Sequence, residues 1–399
     1  MKYLILLCDG MSDYPVKELG GKTPMQAAYK PNMDKLARVS ELGMAKTVQD
    51  CMPPGSDVAN LSVLGYDPEK CYGGRSPLEA ASIGVDMKPS DVSFRCNLVT
   101  LSNEEKFQDR TMLDYCADDI STAEAAELIK FIDENLGKPP FKFYSGVSYR
   151  HLLIRENGQV PAEPLTAPHD ITNKKIAPFI NNPDGSELYG LMEKSCALLK
   201  NHPVNLERIK YNKKPANSIW LWGEGRKREF ISFEEKFGLS AAMISAVDLL
   251  KGIGKLTGME VINVPGVTGY LDTNFEGKAN AAINALKSGT DLVYIHIEAP
   301  DECGHRNEIE GKVKAIELID ERVLKLILNA FEGGEIKILI CPDHPTPLSL
   351  RTHTNEPVPY LIYDSTKSLQ GADSFTEENS VKSGIYIAKG YELIKRLIN

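Results

Sequence analysis

Short apolar runs and longer amphipathic stretches alternate along this chain. YLILL (3–7), LVYIHI (292–297) and IKILI (336–340) are rich in Ile, Leu and Val. Runs of that kind suit parallel strands covered on both faces. KANAAINALKSG (278–289) and GKVKAIELIDERVLKLILNA (311–330) instead repeat their apolar positions at helical spacing. Strand, helix, strand in that order predicts an α/β fold with a largely parallel central sheet flanked by helices. From Met87 to Pro215 the segments are shorter and mixed, with turn clusters GKPP (137–140) and NNPDGS (181–186), and the α/β pattern resumes after Trp220. This predicts a discontinuous core domain, 1–86 and 216–399, with a smaller α+β domain, 87–215, inserted in it.

Composition narrows the classes. At 399 residues, 42% apolar and 25% charged, the chain can bury the cores of two compact units. Its formal charge is −9 and its basic residues are scattered, which argues against a nucleic-acid partner. A small anionic substrate still fits where a few Arg and Lys converge. MKYLILLCDG has one Lys and five apolar residues before Cys8, too few for a signal peptide or a membrane span. The Cys residues, at 8, 51, 71, 96, 116, 196, 303 and 341, form no CxxC pair, which fits reduced thiols in a cytoplasm. Oligomeric state leaves no mark on the sequence.

The chemistry gathers at the strand ends. Asp9 follows YLILL, Asp301 follows LVYIHIEAP, and Asp343 and His344 follow IKILICP. Open α/β sheets bind ligands beyond the carboxyl ends of their strands, so these carboxylates would share one crevice and repel one another without a cation. Asp301 and His305, four apart, face the same way on a helical turn, and His353 adds a third imidazole. A lone Asp after a strand is usually a cap or turn residue. Six such residues beside three strand ends instead suggest mixed Asp and His ligands for two divalent ions, with Mn²⁺ or Zn²⁺ ahead of Mg²⁺ or Co²⁺.

CMPPGSDVANLSVLGYDP (51–68) adds a hydroxyl. Ser56 follows a Pro-Pro-Gly turn and precedes a short helical pattern, at the N-cap position. Ser56 or Asp57 there can simply cap the helix, but a Ser beside metals and a helix N-terminus is also placed to attack phosphate.

With CDGMSD, PPGSDVANLSVLGYDP, GGRSPLEAAS, FRCNLVTL, GVSYRHLL, PHDIT, WLWGEGRK, VPGVTGYLDT, APDECGH and CPDHPTPLSLRTHTNEPVP in this order, the whole chain resembles the archaeal-type cofactor-independent phosphoglycerate mutases of the alkaline phosphatase superfamily. The resemblance implies an alkaline-phosphatase-like core. It also implies one metal on Asp9, Ser56, Asp343 and His344 and another on Asp301, His305 and His353. Ser56 would take the phosphoryl group of 3-phosphoglycerate and return it to the 2-hydroxyl, without bisphosphoglycerate. The inserted domain would exclude water and bring basic groups to the small phosphorylated substrate, with Arg95, Arg150, His151, His169 and Asp170 as candidates and Lys251 near the transferring group. DRTMLDYCADD (109–119) keeps Arg110 but is acidic where relatives are basic, and Asn60 stands where relatives often carry His. The alternative is a homoserine kinase of the same family, although KGIGKLTG (251–258) lacks the phosphate-loop pattern. A phosphatase on the same core is a third reading.

Overall fold

The computed structural model describes residues 1–180 and 186–399, and the turn expected at 181–186 lies outside them except for Ser186. The chain forms two compact units, Met1–Tyr72 with Glu229–Asn399, and Gly73–Arg228.

The strands in chain order are β1 (Lys2–Cys8), β2 (Glu41–Ala45), β3 (Val92–Leu101), β4 (Met112–Asp114), β5 (Phe141–Val147), β6 (Arg150–Arg155), β7 (Ser218–Arg226), β8 (Ala241–Ile244), β9 (Glu260–Val261), β10 (Leu292–Ile297), β11 (Ile336–Cys341), β12 (Val358–Asp364) and β13 (Tyr386–Ile387). The first unit holds an eight-stranded sheet in the order β13-β2-β12-β11-β1-β10-β8-β9. β11, β1, β10, β8 and β9 run parallel, while β12 pairs antiparallel with β11 and β2. Every residue of β10 and β11 is buried. That is why these strands read as mostly apolar runs, broken only by His296 and Lys337, rather than alternating ones.

Helices cover the sheet as their spacing predicts. Phe275, Ala279, Ala282 and Leu286 of the helix Phe275–Lys287 enter the same core as Leu4, Val293 and Ile338. The stretch expected as one helix over 311–330 is Ile309–Ile319 and Lys325–Ala330 joined by a π-helical turn, Asp320–Leu324. Asp320 at that turn accepts from the backbone N–H groups of Asn32 (3.2 Å) and Met33 (2.7 Å). It thereby caps the helix Pro31–Ala37, whose own N-cap residue, Lys30, supplies no side-chain capping bond.

The second unit is antiparallel. Fully buried β3 pairs with β4, β6 and β7, and β5 pairs with β6. The helices Thr122–Leu136 and Ser186–Leu199 pack on β5 and β7 over a core that includes Phe94, Leu128, Met192 and Trp220. The unit is wider at both ends than the expected 87–215. The helix Arg75–Ser82 packs on β3 and β7, and β7 stays paired with β3 as far as Arg226 opposite Val92.

Asp320→Ala is expected to destabilise the protein by about 2 kcal/mol, because two backbone N–H groups lose their acceptor. Asp320→Asn, which keeps one acceptor oxygen for Met33 but turns an amide donor toward the Asn32 N–H, is expected to recover only part of the loss. Urea unfolding of the three proteins measures both, and an unchanged midpoint in the alanine variant would remove the capping role.

Candidate functional site

β11, β1 and β10 are adjacent and parallel, so the residues after them arrive together. Asp9 directly follows β1. Its neighbour Gly10 has φ +61°, and a Cβ there would sit 2.7 Å from the Asp301 Cα and 2.6 Å from Thr346 Oγ1. Only glycine lets the chain pass so close to the next strand end. Asp301 and His305 lie on the helix Ala299–Arg306, which opens with Pro300 near its start and closes at Asn307 in the left-handed region.

The donor atoms converge. His305 Nε2 and His353 Nε2 lie 3.2 and 3.3 Å from the Asp301 carboxylate oxygens and 2.9 Å from each other. His344 Nε2 is 3.6 Å from Asp9 Oδ1 and 3.1 Å from Ser56 Oγ. The rings of His344 and His353 stack with centroids 3.9 Å apart. His305 Nδ1 faces the carbonyl of Arg351 (3.0 Å), and His353 Nδ1 that of Pro54 (3.2 Å). A carbonyl can only accept, so Nδ1 carries a proton in each ring and Nε2 is the atom turned inward, where it donates to Asp301 when protonated and offers a lone pair once that proton is displaced. Two inward ring nitrogens 2.9 Å apart beside a carboxylate are placed to share one cation in place of a proton.

Burial and like charge shape the titration. Asp9 is pushed well above the ordinary carboxylate range by burial, then by Asp343 and Asp301. Burial also pushes Asp301 upward, but hydrogen bonds from His305 and His353 outweigh it and hold Asp301 well below that range. The bond to Asp301 raises His305 to about 9. Asp9 Oδ1 is buried with no hydrogen-bond partner.

An orphaned carboxylate oxygen, inward imidazoles and a hydroxyl fit a divalent cation that accepts oxygen and nitrogen ligands. The resemblance divides the seven residues four and three. The tightest donor groups are Asp301, His305 and His353, and Asp9, Asp301 and His344, with Asp301 in both. Asp343 stands beside them with Oδ1 accepting from the N–H of Gly10 (3.2 Å) and Oδ2 from Asn60 Nδ2 (2.8 Å).

Ser56 is the first helical residue of Ser56–Val63, with extended Gly55 as the N-cap, one position later than expected. Its side chain is therefore free of capping and meets His344. Asn60, one turn on, bonds the Ser56 carbonyl (2.8 Å) as well as Asp343, and accepts from the hydroxyl of buried Tyr294. An amide supplies both the donor and the acceptor this position needs.

Sequence reasoning missed several buried polar groups. His296 lies 2.9 Å from Asp9, and burial lowers its pKa to about 3. Lys278, fully buried and lowered by that burial to about 8, donates to the His296 carbonyl (2.9 Å). Lys312 pairs with Asp13 at 2.7 Å, both buried, and donates to the Thr346 carbonyl at 2.8 Å. His296 had a signal, as the one strongly polar residue in LVYIHI. The lysines sit in amphipathic helices where a charge reads as solvent-facing. The expected Lys251 is partly exposed, 3.7 Å from Asp248.

In the second unit, Arg95 lies with its guanidinium 4.2 Å over the Trp222 ring and donates to Glu79 at 2.9 Å. His169 meets Trp222 edge-on at 5.2 Å, Tyr115 bridges His169 and Tyr149, and Arg150 lies 5.4 Å over Tyr149. Arg95, Arg150 and His169 thus share an aromatic wall. Asp170 is exposed beside His169 (3.7 Å). His151 is not brought to this cluster: it follows Arg150 on β6 and so points to the other face, where it is buried and lowered to about 3. In the acidic stretch, burial pushes Asp114 upward, but Lys214 at 2.7 Å and the N–H of Cys116 outweigh it and hold Asp114 at about 2.

An α/β core that gathers carboxylates, imidazoles and a serine hydroxyl at its strand ends has the layout of a phosphoryl-transfer enzyme. The family described as 2,3-bisphosphoglycerate-independent phosphoglycerate mutase matches residues 37–205. The chain is 50% identical, over all of both chains, to a probable 2,3-bisphosphoglycerate-independent phosphoglycerate mutase of Geobacter sulfurreducens. It is 48% identical, again over all of both chains, to the mutase of Methanosarcina acetivorans. Among solved structures, a protein of Pyrococcus horikoshii matches with TM-score 0.83 and 29% identity, covering 100% of this chain and 96% of that one. The cofactor-independent phosphoglycerate mutase of Thermoplasma acidophilum matches with TM-score 0.65 and 25% identity, covering 100% and 99%. This chain belongs to the 2,3-bisphosphoglycerate-independent phosphoglycerate mutase family.

His353→Ala is expected to lower Mn²⁺ retained after dialysis from about two ions per chain to about one, since it removes one inward nitrogen from the group around Asp301. Elemental analysis reads the content directly. Full retention would exclude His353 as a ligand.

Proposed function

We propose that this chain interconverts 3-phosphoglycerate and 2-phosphoglycerate without bisphosphoglycerate, through a phosphoserine on Ser56. The observation that carries the reading is the uncapped Ser56 hydroxyl at the first turn of a helix, 3.1 Å from His344 in a crevice of three carboxylates. The full-length identity to proteins named for that activity supports it. In this reading Asp9, Ser56, Asp343 and His344 hold one divalent ion and Asp301, His305 and His353 the other, with Mn²⁺ or Zn²⁺ preferred to Mg²⁺ or Co²⁺. Such ions, when bound, favour the serine alkoxide and offset the charge of the phosphoryl oxygens.

The protein's own groups do the rest. Ser56 Oγ attacks phosphorus, the bond from phosphorus to the C3 oxygen breaks, and that oxygen leaves as an alcohol after gaining a proton. The 2-hydroxyl of the same glycerate then attacks the phosphoserine and loses its proton, which regenerates Ser56. The N-terminus of Ser56–Val63 favours the phosphoryl charge throughout. Asn60 holds the Ser56 carbonyl and Asp343 together, so the nucleophile and the carboxylate keep one spacing. The unit 73–228 is assigned the substrate-binding role. Arg95 and Arg150 offer planar donors for a carboxylate, and a water-excluding role for this unit would protect the phosphoserine from hydrolysis. Homoserine as acceptor draws less support than the acidic stretch first suggests, because Lys214 offsets Asp114. The reading carries a cytoplasmic location with it, and among the described residues no helix is long and apolar enough to cross a membrane.

Mn²⁺-loaded protein is expected to convert 3-phosphoglycerate without added bisphosphoglycerate and to leave homoserine unphosphorylated by ATP. Ser56→Ala is expected to lose at least ~1000-fold in turnover while keeping its fold and most of its metal. Mutase turnover retained in that variant would refute the phosphoserine route, and homoserine phosphorylation alone would move the substrate assignment.

A further inference from the structure

A line of hydrogen bonds crosses the carboxyl ends of three neighbouring strands. The Val247 N–H donates to Ser245 Oγ (3.0 Å), Ser245 Oγ meets His296 Nδ1 (3.2 Å), and His296 Nε2 meets Asp9 Oδ2 (2.9 Å). Ser245 directly follows β8, His296 lies on β10, and Asp9 directly follows β1, so the sheet order itself sets the line. All three side chains are buried.

The hydrogen positions follow from the partners. As a cation ligand Asp9 must be ionised, and an ionised carboxylate only accepts, so His296 carries its proton on Nε2. Nδ1 is then a lone pair, and the Ser245 hydroxyl donates to it while its oxygen accepts from Val247. The line has a single sense, and it fixes both the tautomer and the plane of the imidazole. Held through Oδ2, Asp9 cannot rotate freely. Its other oxygen, Oδ1, is the one left without a partner, and it faces His344 Nε2 at 3.6 Å.

We infer that Ser245 and His296 are positioning residues, which aim Asp9 Oδ1 at the cation held with His344 and contact no substrate themselves. A partner bonded behind a ligating group orients that ligand and tunes its basicity. Here the orientation matters more than usual, because Asp9 lies beside two further carboxylates and a turned side chain would bring like charges closer. The inference rests on the metal-dependent reading above.

Mn²⁺ alone is the probe, titrated calorimetrically into chelator-treated wild type, His296→Leu, His296→Gln and Ser245→Ala. Thermal unfolding with and without Mn²⁺ runs alongside. His296→Leu is expected to weaken one of the binding events roughly 10–100-fold while the other persists. Ser245→Ala is expected to fall between it and wild type. His296→Gln, whose amide N–H reaches the place of Nε2, is expected to restore most of the affinity. A role in stability alone would lower the unfolding midpoint of the chelated protein and leave the Mn²⁺-induced increment unchanged, whereas positioning shrinks the increment. Wild-type affinity in both His296→Leu and Ser245→Ala overturns the inference. If His296→Leu fails to fold, Ser245→Ala decides alone. Wild type that binds no Mn²⁺ overturns the metal-dependent reading itself, and this inference with it.

Discussion

Three carboxylates, Asp9, Asp301 and Asp343, are buried together at the ends of adjacent strands. Ionised and unpaired, they would repel one another in a setting that screens charge poorly. Much of the surrounding structure offsets that. Asp343 takes backbone and amide donors from Gly10, His344 and Asn60, while Asp301 takes the Thr346 hydroxyl and two imidazoles. Asp9 takes one imidazole and keeps one bare oxygen. The donors are distributed so that part of the charge is satisfied by protein and part is left for a cation.

The loops bearing these residues are pinned by a second buried device. Lys312 reaches from the helix Ile309–Ile319 to Asp13 and to the Thr346 carbonyl, and Asp13 also accepts from the N–H of Leu348. Glu377 closes the arrangement from behind, accepting from the Asp13 N–H (3.3 Å) and from Thr23 (2.8 Å). A buried ion pair adds little net stability over an apolar pair of equal volume, but losing one partner is costly. Its effect here is geometric: the loop after β1 and the loop after β11 are tied to one ammonium group, so the ligands they carry cannot drift apart independently.

How much of this could be read from the sequence depended on whether a residue's partner was near in the chain. Mostly apolar runs marked β1, β10 and β11, and the Asp and His residues after them marked the crevice, because strand direction alone brings those ends together. The four-residue spacing of Asp301 and His305 was likewise a local fact. Lys278 and Lys312 were hidden because what makes them structural is a carbonyl or carboxylate supplied from elsewhere in the chain, and His296 showed only as a polar residue in LVYIHI, without its partner Asp9. The edges of the second unit were misread for the same reason: the helix Arg75–Ser82 belongs with β3 and β7 through packing, which no periodicity inside the helix announces. His151 shows a finer point: adjacent strand residues face opposite ways, so the exposed Arg150 and the buried His151 of β6 do not share one face.

The two units also divide the functional question. The strand-end cluster contains acceptors, inward imidazoles and a hydroxyl, groups suited to a phosphoryl centre whatever alcohol bears it. Nothing among them distinguishes a glycerate carboxylate from another substituent. The groups proposed to do so are planar cations on aromatic faces, Arg95 over Trp222 and Arg150 over Tyr149 in the second unit. Beside that wall, Ala117, Asp118 and Asp119 hold three consecutive positive φ angles (48°, 59° and 48°), a conformation that costs energy in non-glycine residues. They follow Tyr115, which meets both His169 and Tyr149, so strain is stored next to the groups proposed to bind substrate. On the proposed function, acceptor choice would change by rebuilding this loop and its wall while the strand-end crevice stayed as it is, which is why the sequence made the chemistry legible before the substrate.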